Sequence, residues 1–390
     1  MSSPPAEAEA AAPLLSGLLD EILVWEILAR LPPKSLLRCR AVSPAWRRAT
    51  STRRFLLAHH ARQPTLPLVC ASERLGAGHE NILAFDHRAA DSHLQPVARF
   101  EHTFAPLASC DGLLILYNYT MTDNWYSVCN LATRQHAPLR QLRGFWLLGM
   151  YAHRPTGEYR LLLMPRWGNV EDEIPEHQIG CYVFALGSDQ LPRYIGATDA
   201  TLPFFGHHTL GLTDTALLHD SLHWHPLQYP DGSKVVIVFD TMSESFRQMR
   251  APDDVDAAMS SIFEMDSTLG LYSCCADMEV VNIWVLQDYQ GEVWERKYNV
   301  KLLAAEIREQ FKWPDDNWGG SVVSVDDDVL LTVSYGGWLF YIDTNGKVID
   351  SFHRRGQRFN YCLLRLKQSL VPHTFFTALE GYVVNASPFV

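Results

Sequence analysis

The spacing of hydrophobic residues along the chain changes near residue 65. Between Leu14 and about Ala61, apolar residues recur every three or four positions, which is the spacing of one face of a helix. Beyond residue 65, short apolar runs are separated by Gly, Asp-Gly and Pro, a pattern typical of antiparallel strands joined by tight turns. The pattern therefore predicts a small helical unit followed by a much larger β unit.

The first of three predicted helices is amphipathic. Asp20 is placed to cap its amino end, and Pro32-Pro33 ends it. Its apolar stripe consists of Ile22, Leu23, Ile27, Leu28 and Leu31. A stripe of this width requires a packing partner on one side of the helix.

Two more short helices are predicted after this break. The second carries Leu36, Cys39 and Val42 at a spacing of three, with Leu37 beside them. The third opens at Ser43-Pro44, because Ser at the N-cap satisfies free amides and Pro at the first helical position loses no needed donor. Trp46 of this helix is then expected to face inward.

These helices carry more apolar side chains than three short helices can bury against one another. The surplus comprises Leu18, Leu19, Ile22, Leu23, Leu36 and Leu37. One interpretation is that the surface is left bare by its own chain and binds another protein. The other is that it packs against the β remainder of the same chain, and the pattern alone leaves both open.

Three runs in this segment resemble an F-box: LLDEIL from Leu18, EILARLPPKSLLRCRAV from Glu26, and Trp46-Arg47. The resemblance implies docking on a Skp-family adaptor, which connects such proteins to a cullin scaffold and a RING ubiquitin ligase. The adaptor-binding residues that it implies are Leu18, Leu19, Ile22, Leu23, Ile27, Leu28, Leu31, Pro32, Leu36, Leu37, Val42 and Trp46.

Charge is distributed unevenly along the chain. The net charge of −11 disfavours dispersed binding to nucleic acid or to anionic membranes. The helical segment, in contrast, has no acidic residue between Glu26 and Glu73. Its basic residues are Arg30, Lys34, Arg38, Arg40, Arg47, Arg48, Arg53, Arg54 and Arg62. The segment has neither interleaved stacking aromatics nor the spacing of a recognition helix. Its positive charge therefore fits an acidic protein partner better than nucleic acid.

The β unit reads as a series of hairpins. Fourteen strand candidates lie between Leu66 and Phe352, and turns such as Asp111-Gly112, Gly336-Gly337 and Asn345-Gly346 accept positive φ at low steric cost. The one helical crossover candidate is 302–311, so a parallel βαβ sheet is excluded. A unit of apolar strand, aromatic-rich strand and Asp or Asn turn recurs about every forty to fifty residues. This period predicts a propeller-like fold of six blades, give or take one.

Several short motifs in the β unit are weakly specific one by one, but their order along the chain resembles the F-box-associated domain of the large plant family of F-box proteins. The motifs are Ser109-Cys110-Asp111-Gly112-Leu113-Leu114, Cys129-Asn130-Leu131-Ala132-Thr133-Arg134-Gln135, Leu222-His223-Trp224, the segment 238–246, and the segment 283–289 with Trp294. In relatives this domain captures the protein to be ubiquitinated, and the resemblance implies the same role here. The identity of the substrate protein does not follow from it.

The predicted fold class is α+β multidomain, with a small N-terminal helical F-box followed by an all-β propeller-like domain. The expected divisions are a disordered tail over 1–13, the F-box over 14–62, the propeller-like domain over 66–370, and a tail or closing strand over 371–390. The expected function is that of a non-catalytic substrate-recognition subunit. The alternative is a stand-alone propeller, for example a glycan-active one, whose helices only cap the fold.

Enzyme and metal chemistry are not indicated by the sequence. Gly-x-Ser-x-Gly, Gly-x-x-x-x-Gly-Lys and His-Glu-x-x-His are all absent from it. His223 and His225 alternate around Trp224 and could share one side of a strand at a zinc-binding spacing, but strand histidines that only form hydrogen bonds are commoner. We therefore expect no catalytic residue, no metal and no cofactor.

Tryptophans near strand ends are the best candidates for substrate contact, because exposed aromatic side chains anchor many protein interfaces. Trp313 and Trp318 flank a polar turn, and Trp167 lies beside Glu171-Asp172-Glu173. Packing between blades is the competing role for each of them. The loop from Trp313 to Trp318 is the first choice for a recognition element, and Trp167 is the second.

The cysteines and the amino-terminal residues favour an intracellular protein. The 8 cysteines form no Cys-x-x-Cys pair, so reduced thiols are expected. The first twelve residues lack a basic region, and no apolar run reaches the roughly 18 residues needed for a membrane span. We expect a location in the cytoplasm, the nucleus or both, and no membrane partner.

Overall fold

The computed structural model describes residues 21–73, 79–86, 94–101, 104–119, 124–166, 180–196, 215–265, 268–275, 279–311, 318–325, 328–353 and 357–389. The helical region comes first, and a ring of β-sheets follows it. Across these ranges, none of the helices has the length and apolarity that a transmembrane helix requires.

The helical region has four helical segments where the sequence predicted three. Segment α1 covers residues 21–30, and the others are α2 (Pro33–Val42), α3 (Pro44–Thr50) and α4 (Arg53–Arg62). The predicted cap of α3 is confirmed, because the Ser43 side chain accepts a hydrogen bond from the Trp46 amide at 3.3 Å. Thr52 caps α4 in the same way, accepting from the Phe55 amide at 3.3 Å.

Segment α1 departs from regular helical geometry. It contains a π-helical turn, Leu23–Ile27, followed by a 3₁₀ turn, Leu28–Arg30. Because a π turn bonds residues five apart rather than four, the residues after it rotate relative to a regular helix. As a result Leu28 and Ala29 face the core, while Ile27 faces outward.

Six sheets form the β unit, and the prediction of a six-bladed propeller is confirmed. Blade 1 contains β1 (Thr65–Glu73), β2 (His79–Phe85), β3 (Leu94–Glu101) and β25 (Gln357–Lys367). Blade 2 contains β4 (Phe104–Cys110), β5 (Leu113–Tyr119), β6 (Asn124–Asn130), β7 (Gln135–Leu139) and β26 (Val383–Val384). Blade 3 contains β8 (Phe145–His153), β9 (Glu158–Pro165), β10 (Cys181–Ala185) and β11 (Arg193–Gly196).

The second half of the ring has the same plan. Blade 4 contains β12 (Thr215–Leu218), β13 (Ser221–Trp224), β14 (Leu227–Gln228), β15 (Lys234–Asp240) and β16 (Ser245–Arg250). Blade 5 contains β17 (Ser260–Glu264), β18 (Leu269–Cys274), β19 (Val280–Asp288) and β20 (Val293–Lys301). Helix α5 (Ala304–Phe311) leads to blade 6, which contains β21 (Trp318–Val325), β22 (Asp328–Tyr335), β23 (Trp338–Ile342) and β24 (Val348–His353).

The ring is closed by pairing two distant parts of the chain. Strand β25 lies innermost in blade 1 and pairs antiparallel with β1, so that Thr65 is opposite Lys367. The first strand of each later blade, and β25 in blade 1, lines a channel along the axis. Closure by strand pairing joins the two ends of the β unit and leaves the ring without a gap between its first and last blades.

A separate apolar cluster fills each of the six interfaces between neighbouring blades. Adjacent residues of one strand serve different interfaces, since Leu68 and Cys70 pack toward blade 2 whereas Val69 and Ala71 pack toward blade 6. Strands covered on both sides read as continuous apolar runs rather than as an alternating pattern. This explains runs such as Leu113 to Leu116, in which every side chain is buried.

The two ends of the propeller differ in what they contact. We call the end that holds the β4–β5 turn the near face, and the opposite end the far face. The helical region lies on the near face, where His60 of α4 approaches Asp111 of that turn. Ala132, in the β6–β7 turn, also packs against the helical core. Because strands in a blade alternate in direction, β5, β7 and β9 end at the far face, and β4, β6 and β8 begin there.

The segment after β25 forms a strap, residues 368–389, that begins on the near face and ends beside Phe100, at the far-face end of β3. Leu370 and Val371 join the helical core, and Phe376 packs between blades 2 and 3. Strand β26 then pairs with β7, and Phe389 bridges to Phe100. For residues 371–390 the sequence left a tail or a closing strand open. The ring is closed by β25, and 371–389 belong to the strap.

Candidate protein-docking surfaces

Four of the residues predicted to bind an adaptor are large apolar side chains exposed on the helical region. Ile22 and Ile27 are each 52% exposed, Leu37 is 40% exposed and Val42 is 76% exposed. Ile22 and Ile27 lie five residues apart across the π turn of α1, which brings them to the same side of that segment. Leu37 and Val42 lie on α2. We call these four side chains the docking face.

Two other predicted adaptor-binding residues are buried inside the chain. Leu28 is 2% exposed and Leu36 is 0% exposed, and both pack with Phe55 and with Leu370 of the strap. The expectation that Leu36 is left bare by its own chain is therefore wrong. Leu36 is buried because α4 and the strap cover the inner side of α2. Of the two interpretations of the sequence, only packing against the same chain allowed this.

The remaining predicted residues fall between these extremes. Leu23 and Leu31 are half-buried and Trp46 packs partly against the helical core, while Pro32 is exposed at the start of α2. Leu18 and Leu19 lie outside the described residues. The docking role of all these residues stays a prediction, because the chain is described without a partner.

Exposed basic side chains are numerous on the helical region that carries the docking face. Lys34, Arg38, Arg47, Arg48 and Arg53 are exposed. Others have partners within the chain: Arg30 pairs with Glu26 at 2.6 Å, and the Arg54 guanidinium lies 5.2 Å from the ring centre of Trp25. Arg40 is half-buried and donates to the Thr50 hydroxyl at 2.9 Å. The helical region therefore combines an excess of exposed cations with exposed aliphatic side chains.

Helix α4 holds the end of α1 in place. The buried ring of His59 donates from Nε2 to the Leu31 carbonyl at 2.8 Å, and the Gln63 side-chain amide donates to the same carbonyl at 3.2 Å. Burial of the His59 ring lowers its pKa, which favours the neutral form. These bonds satisfy a carbonyl at the break between α1 and α2 and so position the docking face on both segments.

The far face carries an aromatic ladder on blade 6. Trp318, Tyr335, Trp338 and His353 are paired in register across all four strands of the blade. The rings of Trp318 and Tyr335 stack at 4.4 Å, and those of Trp338 and His353 stack at 4.6 Å. Tyr335 is buried, both tryptophans are half-buried and His353 is exposed, so the ladder is accessible mainly at its outer end.

Helix α5 covers one side of this ladder. The ring of Phe311 lies 4.5 Å from that of Trp338, and the Arg308 guanidinium lies 5.0 Å above the ring of Trp318. Trp318 packs against the core between blades 5 and 6 and remains partly accessible, and its role in substrate contact stays a prediction. Trp313 and Trp167 lie outside the described residues.

A second far-face group surrounds Arg166, at the end of β9. Its guanidinium lies 4.1 Å from the ring centre of Trp146 and 5.3 Å from that of Tyr117. The same side chain donates to the Phe145 carbonyl at 2.9 Å and to the Tyr126 hydroxyl at 3.2 Å. Burial raises the pKa of Tyr126, so its hydroxyl stays protonated and accepts from Arg166.

Sequence reasoning missed most of the aromatic ladder. Gly336-Gly337 was identified as a hairpin turn, and such a turn places Tyr335 directly opposite Trp338. Counting outward from that pair would have added His353 and Trp318, because cross-strand partners on one face are fixed by the register. The signal was present in the turn, but it was not extended to the neighbouring strands.

Metal ligation is not suggested by the residues that the structure describes, among which no three His, Cys, Asp or Glu side chains gather closely enough to hold an ion. His223 is fully buried. Its Nε2 lies 3.0 Å from the Tyr289 hydroxyl, and its Nδ1 lies 3.3 Å from the Ala216 carbonyl. These contacts give the His223 ring a structural hydrogen-bonding role.

Comparisons with known proteins match both regions of the chain. A family model of the F-box domain matches residues 17–57, and a model of the F-box associated beta propeller domain matches residues 79–357. F-box protein CPR1 of Arabidopsis thaliana is 26% identical over 313 residues, covering 72% of this chain and 72% of the relative. F-box protein At5g49610 of the same plant is 22% identical over 303 residues, covering 73% and 80%.

Solved structures show only distant likeness. A chain of the nidogen/laminin complex has a TM-score of 0.40 and 11% identity, covering 75% of this chain and 95% of that one. The β-propeller domain of the Trilobed protease from Pyrococcus furiosus has a TM-score of 0.35 and 11% identity, covering 73% and 79%. We draw no functional conclusion from either likeness.

Proposed function

The chain belongs to the F-box proteins that carry an F-box-associated β-propeller domain, and from that premise we propose that it docks on a Skp-family adaptor and presents a substrate protein. Family membership supports a substrate-recognition role in SCF-type ubiquitin ligases in general. The adaptor would bind the docking face and connect the chain to cullin and RING subunits. The propeller would hold the substrate, and catalysis would belong to the other subunits.

The observation that carries this proposal is the docking face itself. Ile22, Ile27, Leu37 and Val42 are exposed at 40% or more, while their neighbours Leu28 and Leu36 are sealed in the helical core. Several exposed aliphatic side chains on one small helical unit, without a covering element among the described residues, are typical of a protein-binding surface. A purely structural cap on the propeller would require only the inner side of these helices.

Charge supports the choice of partner. The exposed cations Lys34, Arg38, Arg47, Arg48 and Arg53 lie on the same helical region as the apolar side chains. A basic rim speeds encounter with an acidic partner and disfavours basic ones, while the apolar centre supplies the affinity. We therefore expect the adaptor surface that meets this region to be acidic around an apolar groove.

Substrate binding is assigned to the far face of the propeller. The helical region and the strap contact the near face through Asp111 and Ala132. The far face carries the aromatic ladder and the group around Arg166, and aromatic and Arg side chains are enriched at protein interfaces. Binding there would keep the substrate clear of the adaptor and increase the local concentration of its lysines near the ligase.

The adaptor proposal can be tested with purified proteins. Leu37→Asp with Val42→Asp places two charges in the docking face without entering the helical core, because both side chains are exposed. We expect the wild type to bind a purified Skp-family adaptor and the double variant to bind at least a hundredfold more weakly, as desolvating two carboxylates opposes association. Binding is measured by isothermal titration calorimetry.

The matched control is Ile349→Asp on β24 of blade 6. Ile349 is 47% exposed and has the same aliphatic character, but it lies outside the helical region. This variant should bind the adaptor as the wild type does. Failure of the wild type to bind, or equal loss in the control and the double variant, would exclude the docking role and favour helices that only cap the propeller.

A further inference from the structure

The strap crosses the boundary between the helical region and the propeller at residues 368–371. We infer that this crossing is a built coupling that fixes the orientation of the helical region on the propeller, and that Asp111, Gly112 and Asn130 are its positioning residues. The consequence for ubiquitin transfer, a fixed placement of substrate relative to the adaptor, rests on the proposed function. The coupling itself does not.

On its helical side, the strap supplies part of a core. Leu370 is 5% exposed and Val371 is 7% exposed, and both pack with Leu36, Phe55 and Leu56. Four short helical segments bury little apolar surface alone, so these two side chains contribute substantially to the stability of the region. Removing the strap would open the helical core to water.

On its propeller side, the strap lies directly on the β4–β5 turn. Gly112 has φ +85°, and a Cβ added there would lie 2.5 Å from the Ser369 Cβ and 2.9 Å from the Lys367 carbonyl oxygen. No side chain other than hydrogen fits between the turn and the strap at this distance. Gly112, which the sequence predicts as a turn residue, therefore also allows the strap to pack directly against the turn.

Asn130, at the end of β6, holds the strap from the neighbouring hairpin. Its side chain is fully buried, and its Nδ2 donates to the Ser369 carbonyl at 3.1 Å. The same side chain accepts from the Ala132 amide through Oδ1 at 3.0 Å, so one residue supports both its own turn and the strap. Ser369 in turn accepts from the Val371 amide through its hydroxyl at 3.2 Å.

Polar contacts from α4 complete the coupling. His60 lies between the strap and the turn, with Nδ1 3.2 Å from the Gln368 carbonyl and Nε2 3.6 Å from the Asp111 carboxylate. The second carboxylate oxygen of Asp111 accepts from the Tyr159 hydroxyl at 3.2 Å. Lys367 donates to the Ala61 carbonyl at 3.1 Å, which ties the end of β25 to the end of α4.

Two chain crossings are needed to fix an orientation. One is the direct connection from α4, which ends at Arg62, to β1, which begins at Thr65. A single short linker leaves rotation about itself free, and domains joined only in that way move relative to one another. The strap adds a second crossing at a different point, and the pair removes that rotation.

The closing experiment compares two glycines on the same face of the propeller. Gly112→Ala and Gly157→Ala both place alanine at a positive φ in a hairpin turn, at +85° and +72°. At Gly157 an added Cβ meets nothing within 4 Å, whereas at Gly112 it meets the strap. The backbone strain is common to both variants, and displacement of the strap is specific to Gly112→Ala.

We expect two effects of Gly112→Ala. In calorimetry, the helical region should unfold in a transition separate from that of the propeller. Amide exchange of residues 369–371 should become about tenfold faster or more, which corresponds to the free energy of roughly one hydrogen bond. Gly157→Ala should retain the exchange rates and the transition pattern of the wild type. Equal effects of the two substitutions, or unchanged strap exchange in Gly112→Ala, would overturn the coupling.

A second variant covers the case in which Gly112→Ala fails to fold. Asn130→Asp keeps the acceptor for Ala132 but removes the donor to Ser369, so it should speed strap exchange while blade 2 retains wild-type exchange. Unchanged strap exchange in Asn130→Asp would count against the inference. At temperatures below the first unfolding transition, adaptor binding by both variants should match the wild type, because neither substitution changes a side chain of the docking face. Absence of adaptor binding in the wild type would refute the proposed function and leave the coupling result standing.

Discussion

The helical region and the propeller obtain their cores in opposite ways. Each blade buries both of its faces against the next blade, and pairing of β1 with β25 closes the ring. The helical region instead depends on Leu370 and Val371 from the far end of the chain to complete its single core. Its outer side keeps Leu37 and Val42 exposed. The ring closes on itself and takes strap side chains such as Phe376 into one of its interfaces, whereas the helical region is completed on one side by the strap and left open on the other.

This difference separates side chains that are adjacent in sequence. Leu36 and Leu37 have the same chemistry, yet Leu36 is 0% exposed and Leu37 is 40% exposed. Leu36 contributes to folding, and Leu37 is available for binding. Substitutions that act on one side and not on the other therefore provide the clearest tests of how the region is built.

The largest effect is expected from Leu36→Asp. It removes a buried side chain and places a carboxylate among the apolar side chains of Phe55, Leu370 and Val371. The cavity and desolvation costs together are on the order of 5 kcal/mol or more, enough to unfold the helical region. Far-ultraviolet circular dichroism and hydrogen exchange should show loss of α2 to α4 while the strands of the propeller stay protected.

Leu37→Asp is the matched control for that substitution. It should leave the helical region folded, because its side chain already faces water. Protected helices in Leu36→Asp would show that the helical core tolerates a charge and would break the proposed distinction between the two leucines.

A somewhat smaller effect is expected from Phe376→Ala in the strap. Phe376 is fully buried in the cluster between blades 2 and 3. Truncating it removes a large aromatic side chain at a cost of roughly 3 to 5 kcal/mol. Denaturant unfolding followed by tryptophan fluorescence should show this loss in the propeller, and Phe375→Ala, at a half-buried position, should cost less. A propeller unaffected by Phe376→Ala would mean that the ring does not use the strap at all.

Acid and base should act differently on the two regions. Burial raises the pKa of Glu80, in blade 1, to about 7, so the folded propeller favours its protonated form. Stability from this group is present below pH 4.5 and is lost as the pH rises to about 7. The contribution of His59, in the helical core, depends on pH in the opposite direction. Burial lowers its pKa below 6.5, so its contribution is lost as the pH falls.

Glu80→Gln isolates the contribution of the Glu80 carboxyl to the pH dependence of propeller stability. At pH 8 the variant should be more stable than the wild type by up to roughly 3 kcal/mol, the equivalent of the shift in the pKa of Glu80, and the difference should vanish below pH 4. Equilibrium unfolding at several pH values measures this difference. A constant difference at every pH would show that the Glu80 carboxyl does not titrate abnormally.

Much of this architecture could be predicted from the sequence. The period of forty to fifty residues predicted six blades because each blade repeats one set of hairpins, and the Ser43-Pro44 cap predicted the start of α3. Turn residues also had local signals, as at Asp111-Gly112 and Asn345-Gly346, where positive φ is present. These features depend on interactions between residues close in sequence.

The missed features depend on contacts between distant residues. The π turn of α1 was not predictable from a period of 3.6, so Ile27 was assigned to the same stripe as Leu28 although only Leu28 is buried. The burial of Leu36 depends on Leu370, more than three hundred residues away. Asn130 gave only a turn signal, and its bond to Ser369 became visible with the fold.

The smallest effect on folding is expected from Leu37→Ser with Val42→Ser, which sharpens the comparison from the binding side. Val42 is 76% exposed and Leu37 is 40% exposed, so replacing them removes less buried area than a core substitution does, and the free energy of unfolding should fall by about 1 kcal/mol. Apolar side chains that contribute little to the stability of their own chain are retained at a cost in solubility, unless a partner covers them. Thermal unfolding of the chain alone and in the presence of a Skp-family adaptor should therefore separate the two roles. Without adaptor the variant should stay within about 1 kcal/mol of the wild type, and it should lose the stabilisation that the adaptor gives, whereas a drop of 2 kcal/mol or more without adaptor would place these side chains in the folding core after all.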